Sequence, residues 1–109
     1  MQLQFFWDDQ GDPRALCAPP CESVAGFLES DVQGSSALGL EILRAIERIE
    51  SGGLDGWETT GNAYTLSLTH DGATIQSELD DEAEPFDLPL SQIRDAVADW
   101  IAFLDDGRA

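Results

Sequence analysis

The chain opens on a short apolar run, Leu3-Gln4-Phe5-Phe6-Trp7, whose aromatic content predicts a β-strand. Asp8-Asp9-Gln10-Gly11-Asp12-Pro13 is dense in turn formers, so Arg14 to Ala18 can return as the second strand of a hairpin. Pro19-Pro20 ends that strand. From Cys21 to Val32, Val24, Phe27 and Leu28 recur at helical spacing, and Gly34-Ser35-Ser36 then gives a break with a ready N-cap. A stronger helix follows. Leu38, Ile42, Ala45, Ile46 and Ile49 form one stripe, Leu40 and Leu43 broaden it, and Ser51-Gly52-Gly53 supplies the stop.

Period-two alternation marks Tyr64-Thr65-Leu66-Ser67-Leu68-Thr69, with Tyr64, Leu66 and Leu68 on one face. His70-Asp71-Gly72 predicts a tight turn, and Ala73 to Leu79 the partner strand. Asp80 to Glu84 is a charged connection, and Pro85-Phe86-Asp87-Leu88-Pro89 is extended because proline restricts its neighbours. Leu90, Ile93, Val97, Trp100, Ile101 and Leu104 mark a closing amphipathic helix that ends before Asp105-Asp106-Gly107. The element order is ββααββα. It predicts an α+β fold: a four-stranded, mainly antiparallel sheet of two β-hairpins, covered by about three helices. No repeat or linker divides residues 1–109, which are read as a single domain.

Charge changes this picture more than composition does. Asp and Glu number 22 against five arginines and no lysine, for a formal charge of −17. A folded domain of this size exposes on the order of 6,000 Å², or about one net negative charge per 350 Å². Such a surface repels nucleic acid and anionic lipid and attracts basic proteins. Two readings of the acidity stand: a docking surface for a basic partner, or a device for solubility or salt adaptation. No apolar run reaches the roughly 18 residues of a membrane span, and the N-terminus lacks the basic start and cleavage site of a secretory signal. A cytoplasmic location is the expectation.

Candidate chemistry is sparse. Cys17 and Cys21, with one histidine in the chain, do not complete a four-ligand zinc site without carboxylates, and they are read as reduced, partly buried thiols. The Asp8–Asp12 turn lacks the order of a calcium loop. His70 lies in a predicted turn, which argues against its serving as a catalytic base. No phosphate-binding glycine loop is present. The expectation is therefore a protein without catalytic residues, metal or cofactor. Trp100 and Trp7 are read as core. Trp57, before a strand, and Phe86, beside the acidic run, are candidate apolar anchors for a partner. The run from Glu78 to Glu84 holds five acidic residues in seven, and Asp80, Asp81, Glu82 and Glu84 are the candidate docking charges.

The stretch Trp57-Glu58-Thr59-Thr60-Gly61-Asn62-Ala63-Tyr64-Thr65-Leu66 resembles the YacL family of small bacterial proteins, which share a W-x-x-x-G-x-x-Y-T-L segment entering a β-hairpin. Leu3 to Gly11 and Ile93 to Leu104 are similar to that family's first strand and last helix. The resemblance implies a fold and no catalytic residue. The segment Leu88 to Leu104 within a small acidic chain also resembles immunity proteins of contact-dependent growth inhibition. That similarity implies a protein that neutralises a basic toxin, such as a nuclease, by covering its substrate cleft. The alternative is a stand-alone housekeeping domain of YacL type, with a homodimer as its possible assembly.

Overall fold

A computed structural model describes residues 2–80 and 82–107. The first hairpin forms as expected from strands β1 (Leu3–Trp7) and β2 (Pro13–Cys17), paired antiparallel with Phe5 opposite Ala15. The Asp8 carboxylate closes its turn by accepting the backbone N–H groups of Gln10 and Asp12, each at 2.9 Å. Helix α1 (Glu22–Phe27) follows and widens without a break into a π-helical segment, Leu28–Val32. The widening is visible in the bond from Gln33 N–H to Leu28 C=O, five residues back, at 2.8 Å.

Helix α2 (Ser36–Glu50) takes Ser35 as its N-cap, the hydroxyl accepting from Ala37 N–H at 3.3 Å. At its other end Gly52 adopts φ +84°, and Gly53 N–H turns back onto Arg48 C=O at 2.9 Å. This left-handed stop suits glycine because a Cβ would crowd the following carbonyl. Strands β3 (Gly56–Thr60), β4 (Tyr64–Thr69), β5 (Gly72–Ser77) and β6 (Phe86–Leu88) make one antiparallel four-stranded sheet in sequence order. Helix α3 (Leu90–Gly107) closes the described chain.

The α+β class, the four-stranded antiparallel sheet and the helical cover are therefore as the pattern predicts. What differs is which strands share the sheet. The β1–β2 hairpin forms a separate two-stranded ribbon, and β3 and β6 flank the β4–β5 hairpin instead. The N-terminal ribbon packs on α1 and α3 rather than on a strand edge.

One core joins these parts. Phe27 and Leu28 of α1 and the π segment, Ile42, Ile46 and Ile49 of α2, Leu66, Leu68 and Ile75 of the sheet, and Ile93, Trp100 and Leu104 of α3 are fully buried. Trp100 is core, as read from the stripe. Trp7 is only partly so: its ring stacks on Phe103 at 5.0 Å yet remains 39% exposed. A second correction concerns the cysteines, which are joined as a disulfide between Cys17 and Cys21 rather than held as two thiols. Pro19-Pro20 folds the chain back so that their Cα atoms lie 5.7 Å apart, within disulfide reach.

The π segment is the joint of the molecule. Glu29 reaches the first hairpin, where its carboxylate accepts Ala15 N–H at 2.6 Å and Arg14 Nε–H at 3.1 Å. Asp31, two residues on, reaches the large sheet, accepting Ala63 N–H and Tyr64 N–H at 3.0 Å each. Gln33, just beyond, offers its C=O to the indole N–H of Trp100 at 2.9 Å. It does so with φ +60° and ψ −150°, a backbone region populated almost only by glycine. Gln33→Gly should therefore raise unfolding free energy by about 1 kcal/mol in urea denaturation, even though it discards the side-chain bond to Ser30 C=O. A loss of stability would mean that this bond outweighs the strain.

Candidate functional site

The described residues of the acidic run are tied down by local hydrogen bonds. Ser77 Oγ accepts the N–H groups of Leu79 and Asp80 at 3.3 and 3.2 Å, and the Asp80 carboxylate accepts Glu82 N–H at 3.1 Å. Gln76 braces the far side, donating to Ala83 C=O at 3.2 Å. Self-bonding of short polar side chains thus turns the acids outward, and Asp80, Glu82 and Glu84 are all exposed. Asp81 lies outside the described residues.

Across from this loop stands the start of α1. Between them runs a groove of about 630 Å³, with Glu22 on one wall and Asp80 and Glu84 on the other. Tyr64 and Phe86, both half-buried against the core, form its aromatic floor. Ser23 also lines it, and the buried Ser23 Oγ has no hydrogen-bond partner among the described residues. Phe86 is positioned by pairing with Ile75 on the sheet edge. Tyr64 lies in the stretch that resembles the YacL segment, where Gly61 and Tyr64 each have a physical task. A Cβ on Gly61 would sit 2.6 Å from Asp31 Oδ2, so only glycine lets that carboxylate cap the turn into β4. The Tyr64 hydroxyl rests on Gly26 of α1.

No arginine among the described residues lines this groove. Arg14 is held by Glu29 and by Asp8 at 3.5 Å, and Arg94 by Glu50 at 3.3 Å. Arg44 and Arg48 lie beside Trp57. Burial, followed by the charges of Asp31, Glu29 and Glu22, raises the Tyr64 pKa, so its hydroxyl stays protonated and able to donate. Burial likewise raises Asp31, against the opposing effect of backbone N–H donors. Asp8 is shifted down, chiefly by the bond from Asp12 N–H.

The sequence-predicted residues divide here. Asp80, Glu84 and Phe86 meet in the groove, and Glu82 lies on the same loop facing solvent. Trp57 does not join them. It is on β3 and Phe86 on β6, the two opposite edges of the sheet, about 14 Å apart at ordinary strand spacing. Glu22, Ser23 and Tyr64 were not singled out from sequence as site residues. Nothing local distinguishes Glu22 from other helix-start acids, and only the fold brings it opposite the loop.

His70 is exposed in the β4–β5 turn. Among the described residues no three His, Cys, Asp or Glu side chains group so as to hold a metal, and no helix is long and apolar enough to cross a membrane.

Residues 1–102 match the uncharacterised protein family UPF0231. The chain belongs to that family. The match spans both hairpins, the groove and most of α3, and accords with the small YacL-like family expected from residues 57–66. No curated protein and no solved structure gives a significant match. The similarity to immunity proteins gains no support from these comparisons.

Proposed function

We propose that this family member is a non-catalytic binding protein whose acidic groove takes a lysine or arginine side chain of a basic partner protein. One observation carries the reading. In a chain of charge −17, Glu22, Asp80 and Glu84 surround an aromatic floor with no described arginine beside them. An aliphatic stem would lie on Tyr64 and Phe86 while its cationic head meets the carboxylates. Neutralisation of a basic toxin, such as a nuclease whose cleft is built for an anion, is the specific form of this proposal.

The test is association kinetics with the partner retrieved from native cells. Glu22→Lys, Asp80→Lys and Glu84→Lys combined should slow association roughly tenfold or more, and raising salt from about 0.05 to 0.5 M should slow the wild type by a similar factor. Rates indifferent to both would remove the groove from the proposal. A second reading, a homodimeric housekeeping domain, is favoured by Phe6 and Leu16, which are 42% and 54% exposed on the outward face of the first hairpin. Sedimentation across a concentration series distinguishes it, since only the dimer reading requires self-association.

A further inference from the structure

The first hairpin has an edge that nothing described covers. Ala15 N–H points to the Glu29 carboxylate and therefore away from β1. Phe5 and Ala15 are then a pair without mutual hydrogen bonds, as are Leu3 with Cys17 and Trp7 with Pro13, whose imino nitrogen has no hydrogen to give. By the same alternation the backbone N–H and C=O groups of Leu3 and Phe5 point outward from the free side of β1. Among the described residues none of these groups has a hydrogen-bond partner.

Such edges are usually guarded by a charge, a proline or a bulge in the strand. Leu3-Gln4-Phe5-Phe6-Trp7 contains no charge or proline, and its register with β2 is unbroken. Instead the edge opens onto a groove of about 500 Å³ against α3, lined on the helix side by Gln92, Asp95, Ala96 and Asp99. These residues recur at helical spacing, so the two carboxylates lie one turn apart facing the strand. Asp95 is 73% exposed at its side chain and its nearest cation, Arg94, is 3.8 Å away and shared with Glu50.

We propose that the outer edge of β1, with Asp95 and Asp99 across the groove, is a docking site for an extended basic segment of a partner protein, which adds to β1 as a third strand. The inference rests on the reading of the chain as a binder of a basic protein, but on a different surface. Backbone hydrogen bonds to Leu3 and Phe5 would supply affinity, and alternate lysines or arginines reaching Asp95 and Asp99 would supply selectivity. Charge decides against a second copy as occupant, because each copy would bring −17 and the same two carboxylates to the seam. The other free edges suit such a segment less well. Arg44 and Arg48 stand beside Trp57 on β3, and β6 is three residues long between Pro85 and Pro89.

The probe is a synthetic octapeptide of alternating lysine and valine, added to the full-length protein. Bound peptide should slow exchange of the Leu3 and Phe5 amides roughly tenfold or more. Two further peptides carry N-methyl groups, one on every lysine and one on every valine. Strand addition requires that one of them loses at least about tenfold in affinity while the other binds nearly as before, because only alternate peptide N–H groups face β1. Asp95→Asn with Asp99→Asn should weaken the unmodified peptide about fivefold. Equal binding of both methylated peptides, or binding without protection of Leu3 and Phe5, would overturn the proposal. So would protection of those amides in the free protein that grows with its concentration, which would make the occupant a second copy. The Glu22, Asp80 and Glu84 substitutions leave this edge intact, so failure here and failure of the acidic groove are read separately.

Discussion

Trp100→Ala should lower the unfolding free energy by about 4 kcal/mol, the largest effect expected of any single substitution in this chain. The side chain is fully buried, meets Phe5 edge-on at 5.1 Å and lies against Phe103 at 5.7 Å. Its indole N–H also satisfies Gln33 C=O at 2.9 Å, so truncation opens a cavity and strands a carbonyl at once. Trp100→Phe separates the two effects. It keeps most of the packing and loses the hydrogen bond, for an expected cost of about 2 kcal/mol. Since a domain of this size has roughly 5–15 kcal/mol in total, the alanine variant should remain folded only with a much lower urea midpoint. Circular dichroism measures this without relying on the tryptophan removed. Equal costs for the two variants would show that the hydrogen bond, not the packing, dominates.

Asp31→Ala ranks second, at about 3 kcal/mol, because it leaves the N–H groups of Ala63 and Tyr64 without their acceptor at the entry to β4. Asp31→Asn should cost less, since one oxygen remains to accept. The pair also exposes a pH dependence. Burial raises the Asp31 pKa above 3.8 in the folded protein, so folding takes up protons between 3.8 and the higher folded value. The stability linked to this titration is complete below 3.8 and is lost as pH rises through the folded pKa. The stability of the wild type relative to Asp31→Asn should therefore fall across that window and level off above it. A difference that instead rises with pH below 3.8 and is flat above it would mean that the N–H donors outweigh desolvation.

How much of this was legible before the fold was known depends on where each signal resides. The alternation from Tyr64 to Thr69 and the stripe from Leu90 to Leu104 name their elements outright, because one face of each is buried. Strand β3 carries the same alternation weakly: of Gly56-Trp57-Glu58-Thr59-Thr60 only Trp57 is large and apolar, and pairing with β4 makes it a strand. Strand β6 is too short for any period. The acids of the β5–β6 loop were visible as a run, whereas Glu22 joins them only across the tertiary fold. Glu29 and Asp31 were invisible as anchors for a different reason. Their partners are mainly backbone N–H groups, which have no signature in a sequence, and the π-helical widening that aims them is not a periodicity.

Those two anchors, with Gln33, bear on how the chain comes apart. Glu29 to Ala15 spans 14 residues, Asp31 to Ala63 spans 32, and Gln33 to Trp100 spans 67, so one six-residue stretch closes three loops of widely different length. Loop-closure entropy grows only slowly with length, but each closure here depends on the same backbone being in place. Melting the π segment would release the ribbon, the sheet and the last helix together, without an order of detachment. The expected behaviour is a single all-or-none transition, with the amides of residues 28–33 exchanging only when the whole domain opens.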